Sequence, residues 1–369
     1  MRFPAALLAF TALSLSWQGG ALAAPAPQSS KTGVEDCVPG GPCAHPLPVR
    51  AVIVTLFEIG EDEGDPPGEF QLWKARRHLD VRIPFPQSYH DLYYNPETQV
   101  LGMVTGIGNI RSAAATMALG LDQRFDLTHA YWLVAGIAGI DPEDASIGSA
   151  AWAGYLVDGD LAHEIDPREI PKDWKYGYFP RDTKGPNDTS PPRPSGEVFE
   201  INLKLRDWAY GLTKDLTLPD DPGIAKERMR FTDHPMAQRP PFVLKGDQLA
   251  ALTFWHGKRM TDWANHWVDY WTRGKGEFVT SAMEETGTIQ SITYLDTIGR
   301  VDKDRLMVLR AGSNFTMPPP GDTAAHYLLG ENEGYAGMTA ALESLYLVGS
   351  TVIDELLGDW DRYEKTVPE

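Results

Sequence analysis

The sequence has 369 residues, a length that suits one large α/β core with loop insertions. It contains 33 Lys and Arg residues against 51 Asp and Glu residues, so its formal net charge at pH 7 is −18. Such an acidic surface repels nucleic acids and anionic lipids, and the sequence therefore predicts no nucleic-acid partner. The hydrophobic content of 42% is ordinary for a globular protein.

The N-terminus has the pattern of a secretory signal peptide. A short basic start precedes an uncharged apolar run that ends at about Trp17, and residues 21–23 (Ala-Leu-Ala) fit the small-x-small cleavage pattern. The alternative is a membrane anchor, but the run has about 15 residues where roughly 20 are needed to span a bilayer. We predict a signal peptide at 1–23, a flexible segment at 24–48, and a secreted or periplasmic protein.

The sequence has two cysteines, Cys37 and Cys43, which lie close together in the predicted flexible segment. In an oxidising compartment they can close a small loop, and we predict a disulfide between them. A metal site is the alternative, but no cluster of Cys or His completes it, so no metal ion is predicted.

From residue 49 onward, buried strands alternate with helices. Continuous apolar stretches predict strands that are covered on both faces, and stretches with helical periodicity predict helices. The predicted strands are 50–56, 99–105, 130–134, 148–158, 277–281 and 306–310, and the predicted helices are 110–123, 197–216, 261–272 and 334–357. This alternation predicts one α/β domain at 49–360 with a mainly parallel sheet.

A glycine-rich turn joins the second predicted strand to the helix that follows it. Thr105 ends the strand, Gly106 and Gly108 form the turn, and Arg111 stands where a dinucleotide-binding motif has its third glycine. These glycines can bring backbone N–H groups and a helix N-terminus close to a polar ligand. The alternative is that they only permit a tight turn.

Small residues also follow the strand at 130–134. Ala135, Gly136 and Ile137 continue into Ala138-Gly139, so a flat ligand can approach the backbone there. In open α/β sheets, ligands bind beyond the carboxyl ends of the strands. Turn formation is again the alternative interpretation.

Polar side chains follow the two predicted strands near the C-terminus. Met283 and Glu284 come directly after one strand, and a carboxylate there can accept hydrogen bonds from two adjacent ribose hydroxyls. Ser313 and Asn314 follow the other strand, and an amide can recognise a purine edge because it both donates and accepts.

Several of these segments, in this order, resemble signatures of the nucleoside phosphorylase-like superfamily. The segments are Thr105-Gly106-Ile107-Gly108-Asn109, Ala135-Gly136-Ile137-Ala138-Gly139-Ile140-Asp141-Pro142, Met283-Glu284-Glu285-Thr286-Gly287-Thr288 and Ser313-Asn314-Phe315. More closely, the sequence is similar to the purine nucleoside permease family. That similarity rests on Ala162-His163-Glu164-Ile165-Asp166, Phe254-Trp255-His256-Gly257 and Ser313-Asn314-Phe315-Thr316-Met317-Pro318-Pro319.

The resemblance implies a three-layer nucleoside phosphorylase-like fold, with a mainly parallel mixed central sheet and helices on both sides. It also implies a purine nucleoside pocket, in which Glu284 holds the ribose hydroxyls and Asn314 recognises the base. The ligand-binding residues expected from it are Thr105, Gly106, Gly108, Arg111, Ala135, Gly136, Ile137, Met283, Glu284, Ser313 and Asn314.

The sequence departs from the superfamily pattern at two positions. Nucleosidases of the superfamily have an Asp general acid where this sequence has Asn314. Hexameric phosphorylases have a phosphate-binding Arg where this sequence has Val134. The second departure puts phosphorolysis in doubt, although Arg111 could supply the missing charge.

Two functions follow from the resemblance. In the first, the exported protein binds purine nucleosides and serves their uptake together with a membrane transport partner. In the second, it is a phosphorylase or nucleosidase that cleaves the N-glycosidic bond, with Glu284 and Asn314 as its catalytic residues and phosphate or water as nucleophile. No cofactor is predicted in either case, and a homo-oligomer is expected.

Overall fold

The structure is a computed structural model, and it describes residue 43, residues 45–331 and residues 334–369. The predicted signal peptide at 1–23 and nearly all of the predicted flexible segment at 24–48 lie outside the described residues. Cys37 also lies outside them, so its disulfide with Cys43 stays a prediction.

The described chain alternates strands and helices. The strands are β1 (Leu47–Pro48), β2 (Ala51–Thr55), β3 (Val81–Ile83), β4 (Leu92–Asn95), β5 (Val100–Val104), β6 (Phe125–Asp126), β7 (Tyr131–Ile140), β8 (Ala150–Trp152), β9 (Tyr155–Asp158), β10 (Ala162–Glu164), β11 (Tyr178–Pro180), β12 (Val198–Glu200), β13 (Val243–Lys245), β14 (Asp247–Ala250), β15 (Phe278–Ala282) and β16 (Leu306–Phe315). The helices are α1 (Gln71–Arg76), α2 (Asn109–Leu121), α3 (Leu203–Thr213), α4 (Pro222–Arg228), α5 (Lys258–Thr272), α6 (Glu285–Thr297), α7 (Ala324–Gly330), α8 (Met338–Gly358) and α9 (Trp360–Tyr363).

The main sheet is mixed and has β7 at its centre. Its strand order is β12-β9-β14-β15-β7-β2-β5-β4-β3, and β16, β8 and β13 continue from β7 as a branch. The first half of β7 pairs in parallel with β2, and its last residues pair antiparallel with β15. The strand β16 runs parallel to β7 along nearly its whole length. These pairings bring the ends of β2, β15 and β16 to one edge of the sheet.

Helices cover both faces of the sheet, as β2 illustrates. Ala51 and Ile53 point into a core that also contains Trp73 of α1 and Leu345 of α8. Val52 and Val54 point to the opposite face, where they pack with side chains of α2 and α6. Successive residues of a strand face opposite sides of the sheet. Because every residue of β2 is buried, both faces of the sheet must be covered there. The predicted three-layer arrangement is confirmed.

Two strands extend beyond the ends predicted from sequence. The prediction ended one strand at Val134, but β7 continues to Ile140, and β16 continues past Arg310 to Phe315. The small residues in these extensions have the composition of turns, yet the two extensions pair with each other in parallel. Asn314 therefore lies within a strand instead of after it.

Two other predicted elements are divided in the structure. The predicted strand 148–158 is broken into β8 and β9, and Gly154 lies in the break. The predicted helix 197–216 starts later, because Val198–Glu200 pairs antiparallel with β9 as β12. Of the helices in the described part of the chain, none combines the length and hydropathy of a membrane span.

Candidate functional site

A cavity of about 250 Å³, called the site cavity below, lies at the edge of the sheet where these strands end. Segments after β2, β14 and β15 and the last residues of β7 and β16 form its walls. The lining residues are Leu56, Phe57, Glu69, Ile107, Ile137, Ala138, Gly139, Ala251, Thr253, Phe254, Trp255, Ser281, Ala282, Met283, Glu284, Arg310, Ser313, Asn314, Thr316 and Tyr335.

Glu284 is a buried carboxylate in the wall of the site cavity, just before helix α6. One of its oxygens accepts a hydrogen bond from the backbone N–H of Gly108 at 3.0 Å. The other accepts from Arg310 at 2.8 Å and from the N–H of Met283 at 3.2 Å. A carboxylate has about four lone-pair positions, so Glu284 keeps capacity to accept a further bond from a ligand hydroxyl.

The glycine turn before α2 supports Glu284 directly. Gly108 has a φ of 95°, which L side chains rarely adopt, and this conformation lets its N–H reach the carboxylate from the start of α2. The predicted role of the turn was to bring backbone N–H groups to a ligand. In the structure, one of these groups holds a carboxylate in the cavity wall.

Arg310 is the centre of a buried charge cluster behind Glu284. Its side chain is 2% exposed, and it lies in strand β16. Its guanidinium is 2.8 Å from the carboxylate of Glu284 and 4.0 Å from that of Glu69, and it also contacts Glu285. It also donates a hydrogen bond to the carbonyl oxygen of Ile137 at 2.7 Å. A buried cation needs such partners, because an unpaired charge in the interior is strongly destabilising.

Gly136 is what allows Arg310 to lie against strand β7. A Cβ atom at position 136 would come within 2.2 Å of the guanidinium of Arg310 and 2.5 Å of the side chain of Leu56. Gly136 and Arg310 are directly opposite each other in the pairing of β7 with β16. The predicted ligand-binding residue Gly136 therefore makes room for a charged side chain of the protein.

Glu69 is the second carboxylate in the wall of the site cavity. Its two oxygens accept hydrogen bonds from the backbone N–H groups of Leu56 and Ile137, both at 2.7 Å. Burial raises the pKa of Glu69 to about 8, although the charge of Arg310 opposes this shift and the charge of Glu284 adds to it. A carboxyl group with a pKa of about 8 changes its protonation state close to neutral pH, as a general base or acid must.

The cluster as a whole holds more acid than base. Burial raises the pKa of Glu285, and the charge of Arg310 opposes that shift. Burial alone would lower the pKa of Arg310, but the acids Glu285, Glu284 and Glu69 raise it above its usual value. One guanidinium thus faces three carboxyl groups, and burial raises the pKa of two of them, Glu69 and Glu285.

Asn314 also lies in the wall of the site cavity. Its oxygen accepts a hydrogen bond from the Ser313 hydroxyl at 2.9 Å, and its nitrogen donates to Glu331 at 3.0 Å. Burial raises the pKa of Glu331 to about 7, and the bond from Asn314 opposes the shift. The amide is thus held on both sides, with one hydrogen and one lone pair left for a ligand.

Aromatic side chains form part of the wall of the site cavity. The rings of Phe254 and Tyr335 are nearly parallel, with an interplanar angle of 10° and centroids 6.4 Å apart. Phe57 and Trp255 also line the cavity. Aromatic faces of this kind favour a flat ligand, because they offer large contact areas for stacking.

The structure brings some of the predicted site residues together and not others. Those that line the site cavity are Ile137, Met283, Glu284, Ser313 and Asn314. The remaining predicted residues, which are not in the lining, are Thr105, Gly106, Gly108, Arg111, Ala135 and Gly136.

Of the residues outside the lining, Arg111 is exposed, and its guanidinium lies over the ring of Tyr89, 5.6 Å from the centroid. Thr105 is buried and donates its hydroxyl to the carbonyl of Gly106 at 3.0 Å. A ligand role for these residues stays a prediction.

Glu69, Arg310 and Glu331 line the two neighbouring cavities and were not among the predicted site residues. A signal existed for Arg310, because a charged residue inside an apolar strand must find a partner. Within residues 45–331 and 334–369, no group of three or more His, Cys, Asp and Glu residues is arranged to hold a metal ion.

Comparison with known proteins places the chain among nucleoside-related proteins. Residues 48–368 match the family model described as purine nucleoside permease. A purine nucleoside permease from Candida albicans is 32% identical over 325 residues, which cover 86% of this chain and 77% of the relative. A probable purine nucleoside permease from Schizosaccharomyces pombe is 29% identical over 283 residues, covering 74% and 80% of the two chains.

Solved structures support the fold. The 5′-methylthioadenosine/S-adenosylhomocysteine nucleosidase from S. pneumoniae, solved with a transition-state inhibitor, superposes with a TM-score of 0.50. The alignment covers 84% of this chain and 100% of the nucleosidase at 15% identity. The predicted nucleoside phosphorylase-like fold is confirmed.

Proposed function

The chain belongs to the purine nucleoside permease family, and from that premise we propose that it binds a purine nucleoside in the site cavity. The observation that supports this most directly is the buried carboxylate of Glu284, which Gly108 and Arg310 hold in the cavity wall. Adjacent ribose hydroxyls are suitable donors to such a carboxylate, since hydrogen bonds to a charged acceptor are strong. In the same proposal, the side-chain amide of Asn314 forms hydrogen bonds with the purine base.

The size and lining of the site cavity fit one nucleoside. Its volume of about 250 Å³ lies just below the roughly 300 Å³ at which pockets for drug-sized ligands begin. Aromatic and small apolar side chains line much of it, and the polar groups in the lining include Glu69, Glu284 and Asn314. This is the usual composition of a small-molecule site, in which a few polar groups fix the orientation of the ligand.

The charge of the site favours an uncharged ligand. Among the described residues, Arg310 is the one Lys or Arg side chain in the lining, and three carboxylates surround its guanidinium. A phosphate group placed there would find no unpaired cation among the described lining residues, because these carboxyl groups already hold the guanidinium of Arg310. The proposal is therefore for nucleosides and not for nucleotides.

We place this binding in nucleoside uptake, as the family description suggests. In this proposal the protein is exported, captures purine nucleosides, and passes them to a separate membrane transport partner. Cells with and without the protein should then differ in their uptake of labelled inosine at low concentrations, where capture limits transport. Equal uptake in both would contradict this role and leave nucleoside binding unaffected.

Isothermal titration with inosine, guanosine and adenosine tests the binding itself. We expect a one-site isotherm with at least one of these nucleosides, and a much weaker response with uridine, whose smaller base makes less contact with the aromatic walls. Heat changes indistinguishable from buffer for every purine nucleoside would overturn the proposal.

Cleavage of the N-glycosidic bond is a second candidate function, and Glu69 favours it. Glu69 lies in the cavity wall with its pKa raised by burial to about 8, and Arg310 is 4.0 Å from it. An ionised Glu69 could take a proton from a water molecule as that water attacks C1′. The bond from C1′ to the purine nitrogen would break, and the base would leave with the electron pair and take a proton from solvent.

Chromatography of the titrated mixtures separates the two functions. Release of free hypoxanthine from inosine supports cleavage, and intact inosine after long incubation supports binding alone. If cleavage occurs, we expect Glu69→Gln to keep inosine binding and to lose base release, because a neutral amide cannot accept the proton. Base release at an unchanged rate in that variant would remove Glu69 from the reaction.

A further inference from the structure

A second chamber of about 240 Å³ shares two wall residues, Ser313 and Asn314, with the site cavity. Its other lining residues are Ile147, Glu227, Arg230, Asp322, His326, Tyr327, Gly330, Glu331, Gly334 and Ala336. The second chamber is therefore rich in ionisable groups, whereas the site cavity beside it is mainly apolar and aromatic.

Most charges in the second chamber are paired with one another. Arg230 lies 2.9 Å from both Glu227 and Asp322. Asp322 is also 2.7 Å from His326, and the hydroxyl of Tyr327 donates to Glu227 at 2.8 Å. These groups form a connected network that satisfies its own members.

Glu331 does not belong to this network. One of its oxygens accepts the hydrogen bond from the Asn314 nitrogen at 3.0 Å. Its other oxygen is buried and has no partner among the described residues. Among the described residues, the side chain of Glu331 therefore has one hydrogen bond, and its partner is the residue proposed to recognise the base.

We propose that Glu331 is a positioning residue that fixes the direction of the Asn314 amide and so makes the choice of purine pH-dependent. A carboxylate only accepts hydrogen bonds, so ionised Glu331 requires the nitrogen of Asn314 to face it. Protonated Glu331 can also donate, and the amide can then turn over. Ser313 does not prevent the turn, because a hydroxyl both donates and accepts.

The direction of the amide matters because purines differ at position 6. Adenosine has an amino group there, which donates, and inosine has a carbonyl oxygen, which accepts. An amide with one fixed direction holds its free hydrogen and its free lone pair at fixed places, so the atom that faces position 6 matches one purine and opposes the other. An amide that can take both directions accommodates either purine, so discrimination between them falls. This inference rests on the proposed nucleoside binding.

Glu331 is placed to ionise near neutral pH. Burial raises its pKa to about 7, and the charge of Glu331 contributes to raising the pKa of Tyr335, after burial. The other charged groups that face it across the second chamber are Glu227, Arg230 and Asp322 in their network, with His326 at its edge. On the side of the site cavity, Glu284 and Arg310 are paired with each other.

The test compares the dissociation constants of adenosine and inosine at pH 6 and pH 8. For the unmodified protein, we expect the two dissociation constants to differ more at pH 8 than at pH 6. Their ratio should change by about three- to tenfold between the two pH values, which is the effect of one hydrogen bond. In Glu331→Gln, the side-chain amide can pair with Asn314 in both directions, so the ratio should be the same at both pH values.

Glu227→Gln is the matched control, since it removes one charge from the same chamber without a contact to Asn314. This variant should keep the pH dependence of the unmodified protein. A pH-dependent ratio that persists in Glu331→Gln would overturn the inference, as would a ratio in the unmodified protein that does not change with pH.

A ligand-free measurement separates this inference from the proposed function. Carbon-13 NMR follows the carboxyl of Glu331 with pH, and nitrogen-15 NMR follows the side-chain amide of Asn314. We expect both to shift with one midpoint, and the amide shift to vanish in Glu331→Gln. An amide signal indifferent to the Glu331 titration would overturn the inference, whereas absent binding with coupled titration would overturn only the proposed function.

Discussion

Glu284 forms an ion pair with Arg310 and also lies in the wall of the site cavity. In Glu284→Ala, the guanidinium keeps Glu285 and Glu69 as partners, so we expect the fold to persist. A hydrogen bond to a charged acceptor contributes about 1.5–3 kcal/mol. Inosine binding should therefore weaken by roughly one to two orders of magnitude. Isothermal titration measures this loss, with circular dichroism as the folding control.

Hypoxanthine is the matched ligand for that experiment, because it has the base of inosine without the ribose. Its affinity should change much less in Glu284→Ala than that of inosine. Equal losses for the two ligands would show that Glu284 does not hold the sugar.

Glu69 makes stability depend on pH in a defined direction. Its pKa is raised from the usual 4.5 to about 8 by burial, so between these values the folded state binds a proton that the unfolded chain releases. Stability from this group is therefore present at low pH and is lost as pH rises toward 8. We expect Glu69→Gln to lose this slope, up to about 1.4 kcal/mol per pH unit.

Urea unfolding at pH 5.5, 6.5 and 7.5 measures the slope for both proteins. The difference in unfolding free energy between Glu69→Gln and the unmodified protein should shift in favour of the variant as pH rises. A constant difference would mean that Glu69 is ionised throughout this range and that its two backbone hydrogen bonds outweigh burial.

Glu284 and Asn314 could be recognised from the sequence because each follows or ends an apolar strand. Glu69 is the last of several acidic residues that follow the first predicted strand, and nothing local distinguishes it from the acids before it. Its place in the site depends on hydrogen bonds to the N–H groups of Leu56 and Ile137, the second of which is 68 residues away in sequence. Long-range contacts of this kind have no local pattern.

At the scale of elements, the order of strands and helices was predictable, and the ends of β7 and β16 were not. Apolar runs identify buried strands, but the glycines and alanines after them have the composition of turns. Pairing between the two extensions overrides that composition, with Arg310 opposite Gly136 and Asn314 opposite Gly139. The tertiary pairing thus moves Asn314 from a loop into the wall of the site cavity.

Helices α2 and α6 also position the site, and Gly287 sets their separation. A Cβ atom at position 287 would come within 2.3 Å of the carbonyl oxygen of Asn109, at the start of α2. Gly287→Ala should push the start of α2 away and lengthen the bond from Gly108 to Glu284. We expect a loss of about 1–3 kcal/mol in stability and weaker inosine binding, measured by urea unfolding and titration.

Gly211→Ala is the matched control for that substitution. Gly211 lies in helix α3, and an added Cβ would meet no atom within 4 Å. Replacing glycine by alanine in a helix should stabilise the protein by about 0.5–1 kcal/mol and leave inosine binding unchanged. If Gly287→Ala also left binding unchanged, the spacing of the two helices would not control Glu284.

At the scale of the whole molecule, two features disfavour anionic ligands: the net charge of the protein and the pairing of Arg310 in the site. The formal net charge of −18 repels them at a distance. In the site, the guanidinium of Arg310 is already surrounded by Glu69, Glu284 and Glu285. The two effects have the same sign, so the acidic composition and the paired cation both favour neutral nucleosides.

This agreement leads to a prediction about phosphate. Inosine at a hundred times its dissociation constant should stabilise the protein by about 2.7 kcal/mol, visible as a rise in Tm. Inosine monophosphate at the same concentration should give a much smaller rise, because its phosphate has no unpaired cation to meet among the described lining residues. Adding inorganic phosphate should change neither inosine affinity nor any release of hypoxanthine, since water would be the nucleophile. Release of hypoxanthine that depends on phosphate and yields a sugar phosphate would contradict this prediction, and would require Arg310 to exchange one of its carboxylate partners for the anion.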